Sequence, residues 1–266
     1  MTEKQMKILV ANDDGVRADG FSTLINELKK IAHVTAIAPD SERSAAGHSI
    51  TFFAPLRLKL LSEEENLSVY SCSGTPSDCV IMGLAYVMKD TPPDLVVTGI
   101  NYGANLSDDA TYSGTVSSAM EGALAGIPSI AVSIDVSEDH SIDYKTAAEI
   151  TANICKLVYT NKIPHRTLLS VNVPNKPKDK IKGIKITHLG QSNFKYGFIH
   201  RKDAGERDYY WLTREADIDK NTYENSDYHA LSENYVSITP IQLNLNCPNT
   251  SKIMGNWNIN DLLWNS

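Results

Sequence analysis

Between residues 6 and 173, short apolar runs alternate with segments that repeat apolar residues at helical spacing, and few folds accommodate that alternation. Residues 6–11 (Met6-Lys7-Ile8-Leu9-Val10-Ala11) read as a strand. Phe21, Leu24, Ile25, Leu28 and Ile31 then recur at helical intervals, with Glu27, Lys29 and Lys30 on the polar side. Residues 34–38 read as a second strand, closed by Pro39 and followed by a polar loop. Residues 67–72, 94–100, 130–134 and 167–173 read as further strands, with helices expected over 75–87, 116–125 and 143–159. Strands joined through helices run parallel and are covered on both faces. The expected fold is therefore α/β, a Rossmann-like, mostly parallel sheet with helices on both faces.

The pattern changes near Pro174. Residues 176–182 are rich in Pro and Lys, which divides the chain into a core, 1–175, and an extension, 176–266. In the extension, Ile184-Lys185-Ile186-Thr187, Tyr209-Tyr210-Trp211-Leu212 and Tyr235-Val236-Ser237-Ile238-Thr239 are β-prone, and the polar stretches between them predict no helix of useful length. Antiparallel hairpins appended to the α/β body are expected. The tail, 249–266, sets Trp257, Leu262, Leu263 and Trp264 in a polar background. Apolar residues in such a tail dock on the body or on a partner subunit. Residues 182–266 are accordingly expected to mediate oligomerisation, as a homodimer or homotetramer.

Charge and cysteine usage exclude other classes. With 25 basic against 32 acidic residues, the net charge of −7 argues against binding a nucleic-acid polymer, which needs a basic face. A small phosphorylated substrate remains compatible, because a metal ion can supply positive charge locally. Cys72, Cys79, Cys155 and Cys247 have no C-x-x-C spacing and read as thiols of a reducing compartment. The first apolar run breaks at Asn12, too early for a secretion signal, and no stretch approaches a membrane span. A cytoplasmic protein without membrane partners is expected.

The chemistry concentrates in loops after the strands. Asn12-Asp13-Asp14-Gly15 closes the first strand, and in open α/β sheets ligands bind beyond the carboxyl ends of the strands. Two adjacent carboxylates raise each other's pKa unless they share a cation, and an oxygen-only pair suits Mg²⁺ or Mn²⁺. Asp-Asp-Gly is also ordinary turn composition, and these four residues alone leave both readings open. The loop at 39–51 holds Ser41, Arg43, Ser44, Gly47, His48 and Ser49. The loop at 101–109 holds Asn101, Asn105, Asp108 and Asp109. Tyr112-Ser113-Gly114-Thr115 then opens a helix of small residues. Its N–H groups and hydroxyls lie at the positive end of a helix dipole, where they either receive a phosphate or simply cap the helix.

Taken in order, these stretches resemble one family, the stationary-phase survival protein SurE family of metal-dependent nucleoside-monophosphate phosphatases. The resemblance rests on residues 8–15, on Ala38-Pro39-Asp40-Ser41-Glu42-Arg43-Ser44, on Gly74-Thr75-Pro76-Ser77-Asp78-Cys79-Val80 and on Gly99-Ile100-Asn101-Tyr102-Gly103-Ala104-Asn105-Leu106. Tyr112-Ser113-Gly114-Thr115-Val116 and Ser237-Ile238-Thr239-Pro240 complete it, so it runs from about residue 6 to about residue 245. It implies one divalent ion per subunit, Mg²⁺ or Mn²⁺, held by Asp13, Asp14, Ser44 and Asn101. It also implies phosphate contacts from Asn105, Ser113, Gly114 and Thr115, with Asp13 or Asp14 orienting the attacking water. The implied activity is hydrolysis of nucleoside 5′-monophosphates, with 3′-nucleotides and short polyphosphate as further substrates.

At one position the chain departs from that family: Ser107 stands where a glycine is usual, which questions the loop's backbone conformation. Other polar residues read as structural. His48 is expected at the surface or behind the site, Asp78 as a helix cap, and Asp227 and His229 as hairpin polar groups. Tyr209, Tyr210, Trp211 and Tyr223 are expected in core or subunit contacts. Two other functions compete. A haloacid-dehalogenase-like phosphatase needs Asp-x-Asp after the first strand, whereas here the two aspartates are adjacent. A nucleotide-sensing module would bind without turnover.

Overall fold

A computed structural model describes residues 5–136, 141–191, 193–217 and 224–257. Its strands are β1 (Lys7–Ala11), β2 (His33–Pro39), β3 (Leu58–Glu64), β4 (Leu67–Cys72), β5 (Leu95–Tyr102), β6 (Ser129–Ile134), β7 (Thr167–Val173), β8 (Gly183–Ile186), β9 (Asn193–Lys202), β10 (Asp208–Asp217) and β11 (Tyr235–Gln242). The helices are α1 (Asp19–Leu28), α2 (Pro76–Met82), α3 (Gly114–Leu124), α4 (Tyr144–Asn161), α5 (Asp227–Ser232) and α6 (Pro248–Met254). The main sheet has the order β3-β4-β2-β1-β5-β6-β7-β11-β8, and its six strands from β4 to β7 run parallel.

Side-chain alternation along β1 explains why the parallel strands read as unbroken apolar runs. Ile8 and Val10 enter one core, with Phe21, Leu24 and Leu28 of α1 and Ala147, Ala148 and Val158 of α4. Leu9 and Ala11 enter the core on the opposite face, with Cys79 and Val80 of α2. Both faces must therefore be apolar. Phe21, Leu24 and Leu28 are fully buried, and each such side chain contributes about 1.5–3 kcal/mol, well above any helix propensity.

The strand order fixes where a site can form. From β1 the chain moves outward through β2 to β4, then returns to the other side of β1 as β5. The loops after β1 and β5 diverge at this reversal and leave a crevice beyond the carboxyl ends of the strands. Asp13, Asp14 and Asn101 sit at its mouth.

Several expectations need correction. The polar loop before Leu67 contains β3, an edge strand that pairs with β4 and is exposed along almost its whole length, so burial left no apolar pattern to read. The helix expected over 75–87 is α-helical only to Met82 and continues as a π-helical turn, Gly83–Val87. Residues beyond 176 are not all appended hairpins. β11 pairs antiparallel with β7 and parallel with β8, which extends the main sheet, and only β9 and β10 form a separate two-stranded ribbon. The stretch before β11 holds only the short helix α5, of six residues, and the tail holds α6, of seven. α6 buries no residue, and Trp257 beyond it is 58% exposed. Tyr223, Leu262, Leu263 and Trp264 lie outside the described residues. Among the described residues no helix is long and apolar enough to cross a membrane.

Ser107 adopts φ +53°, the left-handed conformation in which glycine is at ease. Asp227 holds it there. This fully buried carboxylate accepts the N–H groups of Ser107 (2.7 Å), Gly190 (3.0 Å) and Tyr228 (2.8 Å), so it anchors loops rather than hairpin polarity. Ser107→Gly relieves strain of about 1–2 kcal/mol, partly offset by the entropy of glycine. We expect a net gain near 1 kcal/mol, or roughly 2–4 °C in Tm. A thermal scan showing no gain would mean that the Asp227 bonds already offset the strain.

Candidate active site

The loop after β1 is folded by its own side chains. Asn12 Nδ2 donates to the Gly15 carbonyl at 2.9 Å, and Gly15 takes φ +97°. The Arg43 N–H donates to the Asp13 carbonyl at 2.8 Å, which ties the second loop to the first. Asp13 is only 4% exposed. Its carboxylate accepts both the hydroxyl and the backbone N–H of Thr115, in the first turn of α3. Burial pushes the Asp13 pKa up to about 6, and the charge of Asp14 adds to the rise although the Thr115 bonds oppose it. Burial likewise raises Asp14, against the pull of the Tyr102 N–H, which donates to Oδ2 at 3.0 Å. A buried carboxylate and a half-buried one are thus held side by side with too little compensation.

The neutral residues complete the picture. Gly99, at φ +118°, has no room for a Cβ, which would fall 2.2 Å from the Val132 carbonyl oxygen, and it shapes the end of β5 that leads into Asn101. Asn101 Nδ2 donates to the Gly103 carbonyl at 2.7 Å, and its Oδ1 accepts no hydrogen bond among the described residues. The exposed Ser44 hydroxyl donates to Glu42 Oε1 at 2.6 Å. Asn105 is pinned from both sides: its N–H donates to Asn172 Oδ1 and its Nδ2 to Ser133 Oγ, each at 2.8 Å. Ser113 Oγ caps α3 by accepting the Val116 N–H at 3.1 Å. At Gly114 a Cβ would lie 2.8 Å from both Cβ and Oδ2 of Asp13.

Asp13, Ser44, Asn101, Asn105 and Ser113 line one cleft of about 470 Å³. Asp14, Gly114 and Thr115 do not line it: Asp14 accepts the Tyr102 N–H, and the other two pack against Asp13. Thr115 directs both of its donors at Asp13. The same cleft is lined by Asp109, Tyr112, Tyr196, Leu212 and Arg214, which sequence reasoning did not single out as site residues. Arg214 pairs with Asp109 through both terminal guanidinium nitrogens, Nη1 to Oδ1 and Nη2 to Oδ2, the latter at 3.0 Å. Tyr196, Leu212 and Arg214 belong to the β9–β10 ribbon, more than 80 residues from the loops they meet. The β-prone run Tyr209-Tyr210-Trp211-Leu212 was the one part of the ribbon that the sequence signalled.

His48 and Asp78 keep the structural roles expected of them, whereas His229 lies in α5 rather than in a hairpin. His48 pairs with Glu121 of α3 at 2.6 Å and does not line the cleft. Asp78 closes a capping box with Thr75 and also accepts the Thr51 N–H at 3.0 Å. His229 lies 3.8 Å from Glu233 on the next turn. All four cysteines are free, and only Cys247 is exposed.

Among the described residues no three His, Cys, Asp or Glu side chains gather as a metal cage. The donors available are two carboxylates, one amide oxygen and one hydroxyl, which fit a hard divalent ion that keeps open positions. The raised pKa values of the carboxylates point the same way, since a cation would remove the penalty of burying both charges.

A doubly wound α/β sheet with paired carboxylates at its switch point, beneath a helix N-terminus, defines a Rossmann-like protein built to handle a phosphorylated ligand. Comparison with known proteins narrows the class. The family model described as "Survival protein SurE" matches residues 8–196. A protein of Pelobacter propionicus named 5′-nucleotidase SurE is 42% identical over 253 residues, 95% of this chain and 99% of its own. One of the same name from Thermoanaerobacter is 43% identical over 255 residues, covering 96% and 99%. The crystal structure of the SurE protein from Aquifex aeolicus superposes with a TM-score of 0.80 at 38% identity, covering 96% of this chain and 99% of that one. The chain belongs to the SurE family.

Proposed function

We propose that this chain hydrolyses nucleoside 5′-monophosphates to nucleoside and phosphate, using a divalent cation held at Asp13 and Asp14. The observation that carries this reading is the adjacent Asp13–Asp14 pair at the switch point, Asp13 buried and Asp14 half-buried, with both pKa values raised. The names of the relatives, 5′-nucleotidase, support it. Asp13, Asp14, Ser44 and Asn101 would hold the ion, Mg²⁺ or Mn²⁺, one per subunit. When bound, such an ion polarises the phosphoryl group and makes water a competent nucleophile at neutral pH.

The chain's own residues do the positioning. Thr115 fixes the Asp13 carboxylate, and the Tyr102 N–H fixes that of Asp14. Asn105, Ser113, Gly114 and Thr115 are the groups assigned to the phosphate, Asn105 and Ser113 from the cleft lining and Gly114 and Thr115 from the first turn of α3. One carboxylate oxygen of Asp13 or Asp14 orients the attacking water in line with the leaving ribose oxygen. The further substrates are 3′-nucleotides and short polyphosphate, and the setting is the cytoplasm, where the buried thiols stay reduced.

Phosphate release decides between hydrolysis and mere nucleotide binding. We expect release from AMP or GMP with Mn²⁺ or Mg²⁺, abolished by EDTA and restored by added metal. Undiminished release in EDTA would place the chemistry elsewhere. We also propose that the division at 175/176 has a functional counterpart, with 176–266 mediating a homodimer or homotetramer. Its support is the exposed apolar surface of β9 and β10, including Phe198, Tyr210 and Trp211. Light scattering should give at least a dimeric mass, and a monomer mass independent of concentration would refute it.

A further inference from the structure

The acidic loops form only one end of the cleft. Its other wall is aromatic and apolar, and comes from two remote parts of the chain: Tyr112, in the turn before α3, and Tyr196 and Leu212 of the ribbon. In the ribbon Tyr196 pairs with Arg214 and Phe198 with Leu212, so these four side chains share one face. Tyr112, Tyr196 and Leu212 are each more than half exposed, so core packing does not account for them. The Arg214–Asp109 ion pair holds this face against the cleft, and Tyr196 lies close enough to Tyr112 for their phenols to influence each other. Asp109 and Tyr112 both belong to the segment that leads directly into Ser113. The cleft volume lies within the roughly 300–1,000 Å³ of sites that enclose small ligands.

We propose that Tyr112, Tyr196 and Leu212 form the wall that receives the nucleoside, with Asp109–Arg214 positioning the ribbon. These residues then determine specificity by distinguishing a nucleotide from a base-free phosphate ester. The inference rests on reading the cleft as the site of nucleotide hydrolysis. Every nucleobase has a π-face, so such a wall favours nucleotides in general over any one base. Substrates lacking a base gain nothing from it.

The test compares AMP with ribose 5-phosphate, which shares the reacting end but has no base. The wild-type enzyme with Mn²⁺ should show a kcat/KM at least roughly tenfold higher for AMP, the size of a base–aromatic contact. Tyr196→Ala and Leu212→Ala should erase most of that ratio through a higher KM for AMP, with ribose 5-phosphate turnover within about twofold of wild type. Tyr196→Phe keeps the ring and should keep most of the ratio. Equal losses on both substrates, or no wild-type preference for AMP, would overturn the inference. If the wild type released phosphate from neither substrate, the hydrolysis reading would fail on its own. Calorimetric titration with adenosine, which requires no turnover, would then decide the wall. Binding weakened roughly tenfold by Tyr196→Ala would support it, and unchanged or absent wild-type binding would overturn it.

Discussion

Asp13→Asn and Asp14→Asn are each expected to lower kcat by roughly 10²-fold or more, the scale of removing a key electrostatic group from a reaction centre. Each change removes half of the formal negative charge available to the cation, so cation affinity should fall as well. Stability without metal should move in the opposite direction. The folded-state pKa of Asp13 is raised to about 6 from 3.8. A raised acid pKa means that stability is fully present below the unfolded value and is lost as pH climbs through the folded one. Metal-free protein should therefore lose on the order of 3 kcal/mol through Asp13 between about pH 4 and pH 6. Asp13→Asn should flatten the dependence of Tm on pH in that window, in EDTA. It should also lose the rise in Tm that Mn²⁺ or Mg²⁺ gives the wild type. Wild-type turnover in either variant would show that this pair does not support the chemistry.

The α/β core was legible because its strands are buried on both faces. β1, β2, β5, β6 and β7 had to be mostly apolar on both faces, and the helices between them carried a 3.6-residue period. β3 was invisible for the converse reason: an exposed edge strand needs no apolar pattern. Asp13 and Asp14 follow β1, Asn101 stands at the end of β5 and Ser44 in the loop after β2; strand ends pointed to the aspartate pair and these loops, and the family resemblance supplied Ser44 and Asn101 as ligands. The far wall of the cleft was not legible. Arg214 and Tyr196 reach it through a ribbon whose placement depends on tertiary contacts, with Asp109 and Tyr112, that no local pattern encodes. Asp227 was misread for a similar reason. Its role as the anchor of Ser107 and Gly190 depends on neighbours 120 and 37 residues away.

Gly114 links the helix N-terminus to the acidic pair, and Gly114→Ala tests that link. At a glycine that does no more than admit a phosphate, a larger residue would block the anion and raise KM. The geometry points to a different outcome. A Cβ at Gly114 would lie 2.8 Å from Asp13 Cβ and Oδ2 and 3.1 Å from Cγ. The atoms in the way include one bonded directly to the Asp13 backbone, so the conflict cannot be relieved by rotating a flexible tip. Asp13 must shift, and with it the carboxylate that Thr115 fixes. A displacement approaching 1 Å at a reacting centre costs about 10²-fold in rate. The loss should therefore appear in kcat and in cation affinity, with a smaller change in KM for AMP and roughly 1–3 kcal/mol of stability lost to overpacking. Thr115→Val separates the two causes. It preserves side-chain shape and the backbone bond but removes the hydroxyl that Asp13 accepts, so it should weaken cation binding without the overpacking. A Gly114→Ala enzyme with wild-type kcat and cation affinity would show that α3 does not position Asp13. A pure rise in KM would return the phosphate to the N-terminus of α3 as the main cause.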